Sequence, residues 1–344
     1  VLGDVYKRQM KKYVNLFVFV FMIGACLSQG RAQTKSAVSY KNPVVDIAMP
    51  DPTVIKAADG YFYVYATEST RNVPIMKSKD LVEWTYCNTA FTNKTRPRFE
   101  PKAGIWAPDI NYINGKYVLY YAMSVWGGEQ TCGIGVATAN SPQGPFTDHG
   151  KMFRSNEIGV QNSIDPSLLQ YEGRNYLVWG SFRGIYVIEL TADGLSIMSG
   201  AKKKRIAGTA FEAVYIHKHG DYYYMFASIG SCCQGVKSTY KVVVGRSKKV
   251  WGPYKDKTGK PMLKNGYSLV IGANDHFVGN GHGSQIIQDD AGQDWLLYHG
   301  FSRSTPENGR ILLLDQIKWD QEGWPYVEGG SPSYETQKAP VFNN

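Results

Sequence analysis

The sequence predicts an all-β protein, a five-bladed β-propeller, on three observations. A turn glycine followed by an alternating aromatic and apolar strand recurs five times. No segment beyond the N-terminus carries a convincing long helical period. An acid or a histidine stands at nearly the same distance upstream of every recurring glycine.

The five copies are Gly60-Tyr-Phe-Tyr-Val-Tyr, Gly115-Lys-Tyr-Val-Leu-Tyr, Gly173-Arg-Asn-Tyr-Leu-Val-Trp, Gly220-Asp-Tyr-Tyr-Tyr-Met-Phe and Gly292-Gln-Asp-Trp-Leu-Leu-Tyr. A turn glycine leading into β-branched and aromatic residues is a hairpin signal. The steps between copies are 55, 58, 47 and 72 residues, each long enough for a four-stranded sheet. Radial repetition of such units makes a propeller. A β-sandwich would also show short strands and turns, but it has no cause to repeat one phrase. Between the copies, Ser78-Lys-Asp-Leu-Val-Glu-Trp84, Ser141-Pro-Gln-Gly-Pro-Phe146 and Ser247-Lys-Lys-Val-Trp-Gly-Pro-Tyr254 read as turns leading into outer strands. No Pro/Ser linker interrupts the chain, so residues 33–344 read as one domain.

Residues 1–32 read as an N-terminal extension and signal peptide. Lys11 and Lys12 follow Met10, and the apolar run Val14–Leu27 is too short to span a bilayer comfortably. Gly30-Arg31-Ala32 offers a cleavage site, and Ile23-Gly24-Ala25-Cys26 resembles a lipoprotein box with Cys26 as the lipid anchor. The expected location is secreted or periplasmic, or the outer surface. No later stretch is apolar enough for a transmembrane segment.

The net charge is +9, to which residues 1–32 contribute Lys7, Arg8, Lys11, Lys12 and Arg31 against Asp4, leaving about +5 for the rest. Lys202-Lys203-Lys204-Arg205 reads as a solvated loop rather than a nucleic-acid patch in an exported protein. There is no C-x-x-C among the five cysteines, which argues against a zinc site. A disulfide is expected to be possible in an oxidising compartment, with its pairing left open. His217, His219, His276 and His299 show no ligand spacing and read as surface or core histidines.

The chemistry-bearing residues share a phase. Asp51, Asp109, Asp165, Glu212 and His282 lie nine, six, eight, eight and ten residues before their glycines. Equivalent positions on inner strands converge on a propeller axis, so these groups should meet at one mouth of the tunnel. Proline follows Asp51 and Asp165, which places both at a rim, since proline is confined to strand starts and edges. Any one of these acids alone reads as a turn residue; their common phase suggests a site. Apolar and aromatic neighbours such as Ile164, Phe211 and Tyr215 suit a carboxyl whose pKa is raised by burial. Clustered carboxylates without metal-ligand spacing suit glycosidic hydrolysis, in which an acid protonates the leaving oxygen and a second carboxylate activates water or attacks carbon.

At these residues the chain resembles glycoside hydrolase family 43, in particular its arabinan endo-1,5-α-L-arabinosidases. The motifs are Asp51-Pro-Thr-Val-Ile, Gly104-Ile-Trp-Ala-Pro-Asp-Ile-Asn-Tyr, Asn162-Ser-Ile-Asp-Pro, Phe211-Glu-Ala-Val-Tyr-Ile, Gly230-Ser-Cys-Cys with Ser238-Thr-Tyr, Gly279-Asn-Gly-His-Gly-Ser and Gly323-Trp-Pro-Tyr-Val. They cover about residues 44–335. The resemblance implies cleavage of α-1,5-L-arabinofuranosidic bonds with inversion of configuration. It implies Asp51 as general base, Glu212 as general acid, and Asp165 as the carboxylate that orients the acid and tunes its pKa. It also implies Trp106, Asp109, Asn162 and Ser163 at the sugar site, and His282 beside a bound calcium. Glu212-Ala-Val replaces the family's frequent Glu-Ala-Pro, and Gly281-His-Gly replaces its frequent Gly-His-Asn. An exo-acting α-L-arabinofuranosidase or a β-xylosidase on the same scaffold is the enzyme alternative. A non-catalytic carbohydrate-binding propeller is the alternative of another class, though it has no need of a Glu and two Asp in axial phase. The expected partner is a plant cell-wall polysaccharide.

Overall fold

The computed structural model describes residues 38–343. The expected signal peptide, its cleavage site and Cys26 lie outside the described residues. Five antiparallel sheets form the five blades of a β-propeller. Blade 1 runs Thr53–Lys56, Phe62–Tyr65, Pro74–Ser78 and Thr85–Thr89. Blade 2 runs Gly104–Ile113, Lys116–Ser124, Gly133–Ala139 and Thr147–Arg154. Blade 3 runs Ser167–Tyr171, Arg174–Trp179, Ile185–Glu189 and Lys204–Ala207. Blade 4 runs Glu212–His219, Tyr222–Ile229, Lys241–Ser247 and Ser268–Ile271.

Blade 5 is assembled from both ends of the described chain. Phe277–Gly281, Asp294–Ser302 and Ile311–Trp319 are followed by Val45–Ala48 as the outer strand, with Val45 opposite Leu312. Ser39–Tyr40 pairs with Gln337–Lys338 alongside. This pairing closes the ring by joining both ends of the described chain in one blade, and the radial arrangement leaves only short edges.

Gly60, Gly115, Gly173 and Gly220 top the hairpin between the first and second strands of their blades, and Gly292 turns between the short strand Ile287–Gln288 and Asp294–Ser302. Gly115, Gly173 and Gly220 all have positive φ there, which glycine adopts without steric cost. The turns at Ser78–Trp84 and Ser141–Phe146 lead into the outer strands of blades 1 and 2, as the sequence suggests. Strand alternation sends side chains into both flanking blades, so an apolar cluster fills every seam. Tyr65 packs with Tyr121 between blades 1 and 2, Val118 with Trp179 between 2 and 3, and Ile185 with Met225 between 3 and 4. Phe226 packs with Tyr298 between blades 4 and 5, and Phe62 with Leu312 between 5 and 1. Each fully buried side chain of this size contributes about 1.5–3 kcal/mol.

One feature of the backbone repeats at the axis. Asp51, Ala107, Asp165, Ala213 and His282 sit at or beside the inner strand of successive blades with φ between 44° and 55°. Non-glycine residues reach this left-handed region rarely and at a cost of about 1–3 kcal/mol, so surrounding structure must hold them. The inner strands of blades 2, 4 and 5 also break register, at Trp106/Asp109, Glu212/Tyr215 and Val278/Gly281. Such bulges re-aim a side chain at the end of a sheet.

Candidate active site

The kinks turn Asp51, Asp165, Glu212 and His282 into one cleft of about 740 Å³ at a mouth of the axis. That size suits a small-molecule or oligosaccharide site. Trp106 and Trp126 line it, with ring centroids 5.5 Å apart. Cys232 and Cys233, joined by a disulfide between adjacent residues, line it as well.

Asp51 is held among cations. Its Oδ1 accepts a hydrogen bond from Arg310 Nη1 at 2.8 Å and lies 3.2 Å from His282 Nδ1. Its backbone N–H donates to His299 Nδ1 at 3.0 Å. Burial opposes ionisation of this carboxyl, but Arg310 and His282 outweigh it and hold the pKa well below the usual range. Burial in turn keeps the His299 ring neutral, which leaves Nδ1 free to accept.

Glu212 has opposite surroundings. Burial first, then the Asp165 carboxylate, pushes its pKa up to about 7. Ser181 Oγ donates to Glu212 Oε2 at 2.6 Å, and the Tyr240 hydroxyl adds a second hydrogen bond. Asn162 Nδ2 donates to Ser181 Oγ at 3.0 Å, so Asn162 positions the hydroxyl that touches Glu212. Asp165 is raised to about 6 by burial and by Asp51. Its Oδ2 accepts the N–H of Ala213 at 3.1 Å, which pins the backbone next to Glu212. The departure from Glu-Ala-Pro at this segment thus leaves the amide that matters, that of Ala213, in use.

Two expected sugar-site residues lie elsewhere. Asp109 lines a separate axial cavity behind the cleft and has no place in the cleft wall. Its carboxylate accepts hydrogen bonds from Leu168 N–H, Asn111 and Gln285, and burial raises its pKa to about 7. Six residues, rather than eight or nine, separate it from its glycine, so it sits further down its strand. Ser163 is fully buried; its hydroxyl donates to Val160 O and accepts from Trp179 Nε1. Both residues support the site from within the protein. Arg310, Tyr240, Ser181, Trp126 and His299 were not among the expected site residues. Of these only Tyr240 stood in a quoted motif, Ser238-Thr-Tyr.

His282 lines both the cleft and the axial cavity. Its Nδ1 faces the Asp51 carboxylate. Metal-bound histidines commonly give their other ring N–H to a carboxylate in this way. The axial cavity around it is lined with oxygen-bearing side chains, including Thr53, Asp165, Ser284 and Gln285. This donor set fits a calcium ion ligated by one imidazole nitrogen and mainly by water, and it is not an all-protein cage.

The Glycosyl hydrolases family 43 model matches residues 40–325. The chain is 36% identical over 332 residues to an extracellular endo-α-(1→5)-L-arabinanase of Bacillus subtilis, covering 92% of this chain and 99% of that protein. It is 36% identical over 306 residues to an extracellular exo-α-(1→5)-L-arabinofuranosidase of Cellvibrio japonicus, covering 81% and 86%. Among solved structures it is similar to a Cellvibrio cellulosa α-L-arabinanase complexed with arabinohexaose, with a TM-score of 0.75 and 34% identity, covering 84% of this chain and 98% of that one.

Proposed function

The chain belongs to glycosyl hydrolase family 43 and is a glycoside hydrolase, and from that premise we propose that it cleaves α-1,5-L-arabinofuranosidic bonds within arabinan by single displacement. The observation that carries the reading is the pairing, in one cleft, of a carboxyl held ionised and a carboxyl held protonated. The substrate assignment is supported by the arabinan-active relatives.

In this mechanism the Asp51 carboxylate takes a proton from a water on one face of the sugar. The water oxygen bonds to the anomeric carbon as the glycosidic C–O bond breaks. The electron pair of that bond goes to the leaving oxygen, which takes its proton from Glu212. Asp51 ends protonated and Glu212 ionised, and exchange with solvent resets both. Burial, and then like-charge repulsion from Asp165, keep Glu212 protonated near neutrality, and Asp165 fixes its backbone through Ala213. Arg310 makes Asp51 a weaker base but favours its ionised form. Trp106 and Trp126 offer apolar faces to the sugar, and Asn162 acts through Ser181.

Calcium belongs to the proposal as a supporting ion. His282 would hold it through the ring nitrogen turned from Asp51, and the ion supplies fixed positive charge on the axis. Export from the cell is part of the same reading. Two relatives are extracellular proteins, and no helix among the described residues is long and apolar enough to cross a membrane. Cleavage near Ala32 or lipidation of Cys26 is its N-terminal counterpart.

The test is the product profile on linear arabinan, branched arabinan and xylan. The reading expects mixed arabino-oligosaccharides early in the digestion of linear arabinan. A single small product from the outset would replace it with the exo mode of the Cellvibrio relative. Turnover of xylan alone would remove the arabinan assignment.

A further inference from the structure

We propose that the seam between blades 4 and 5 carries a second, independent metal site. It is built from His217, His219 and Asp294 and is selective for a borderline transition ion such as zinc. His217 and His219 are two residues apart on the strand Glu212–His219, so both rings leave the same face of the sheet. Asp294 opens the second strand of the neighbouring blade. One donor atom from each of the three lies within 4.8 Å of the others.

The cluster has the features of a ligand set rather than of a finished hydrogen-bond network. Among the described residues, neither imidazole makes a side-chain hydrogen bond. His219 Nδ1 stands 3.7 Å from Asp294 Oδ2, beyond hydrogen-bond reach. Asp294 is 4% exposed and already oriented: Trp319 Nε1 donates to Oδ2 at 2.8 Å and Gln288 Nε2 to Oδ1 at 3.2 Å. A carboxylate has about four acceptor positions, so two remain for a cation. Such outer hydrogen bonds commonly hold a ligand carboxylate in place. The Trp319 ring also supports His219, stacked at 3.7 Å between centroids and 8° between planes. The His219 side chain is 37% exposed, which gives an ion a path from solvent and leaves room for water as a further ligand.

Two imidazoles and one carboxylate suit zinc, nickel or copper better than calcium, whose ligands are mainly oxygen. The site lies five to seven residues along the strand from Glu212, roughly 17–23 Å at 3.3 Å per residue. A metal there takes no part in hydrolysis. It would tie blade 4 to blade 5, the blade that closes the ring.

The experiment is calorimetric titration of the full chain, stripped with chelator and dialysed, with zinc alone at pH 7.5. The expected result is one zinc per chain with a dissociation constant in the micromolar range or tighter. Binding should weaken at least tenfold in the His217→Ala/His219→Ala double variant. Arabinan hydrolysis by that variant should be unchanged, which also reports that it is folded. If burial of His217 makes the double variant unstable, His219→Gln, at the exposed ring, should show the same loss. Zinc should raise the melting temperature of the parent and not of the variants. Absence of stoichiometric binding, or equal affinity in parent and folded variants, would overturn the site.

Discussion

Asp51, two residues before the inner strand of blade 1, and Glu212, the first residue of the inner strand of blade 4, occupy nearly the same place in their blades. Both are 8% exposed, and a left-handed backbone kink lies at Asp51 (φ 54°) and beside Glu212 at Ala213 (φ 53°). Their chemistry diverges because of what other blades send toward them. Blade 5 supplies Arg310 and, beside its inner strand, His282 to Asp51, which stays ionised. Blade 3 supplies Asp165 to Glu212, which stays protonated up to about pH 7. A propeller thus provides similar slots, and neighbours across the axis decide which slot holds an ionised carboxyl and which a protonated one.

The comparison breaks most sharply if either group is removed. Asp51→Asn and Glu212→Gln should each lower turnover at least about 100-fold, the lower range for acid–base groups, with circular dichroism unchanged. Near-parental turnover in either variant would end its assignment. Changing the neighbours should move the pH profile rather than abolish activity. Glu212 must be protonated to act, so the parent's kcat/KM should fall as pH rises through about 7. Asp51 must be ionised, so the acid limb should lie below the normal carboxylate range. Asp165→Asn removes a like charge beside Glu212 and should move the basic limb to lower pH. Arg310→Gln removes a cation beside Asp51 and should move the acid limb to higher pH. Limbs that stay put in both variants would show that the neighbours do not set the pKa values. The smallest effect concerns calcium: exhaustive chelation should lower the melting temperature of the His217→Ala/His219→Ala variant by a few degrees, restored by calcium and not by zinc. An unchanged melting temperature would remove the ion from the account.

The repeat and the phase of the acids were legible in the sequence because both are local. The distance from each glycine back to Asp51, Asp165, Glu212 or His282 counts residues along one hairpin. The same count misplaced Asp109, whose shorter spacing puts it two or three residues, roughly 7–10 Å, further down its strand. Ser163, beside Asn162 in its motif, turns the other way into the core. Arg310, Ser181 and His299 were out of reach because they approach the axis from second and third strands or loops of other blades, where no spacing links them to the acids. His217 and His219 read as unrelated until the strand showed that every second residue shares a face.

A base and an acid about 6.5–9.5 Å apart leave room for a water between base and sugar, and displacement is then a single step. Proton NMR of the first product formed from an arabinan oligosaccharide, recorded before mutarotation, tests this directly. The account predicts that the new reducing end appears first as the anomer opposite in configuration to the bond cleaved. First appearance of the retained anomer would make Asp51 a nucleophile and contradict it.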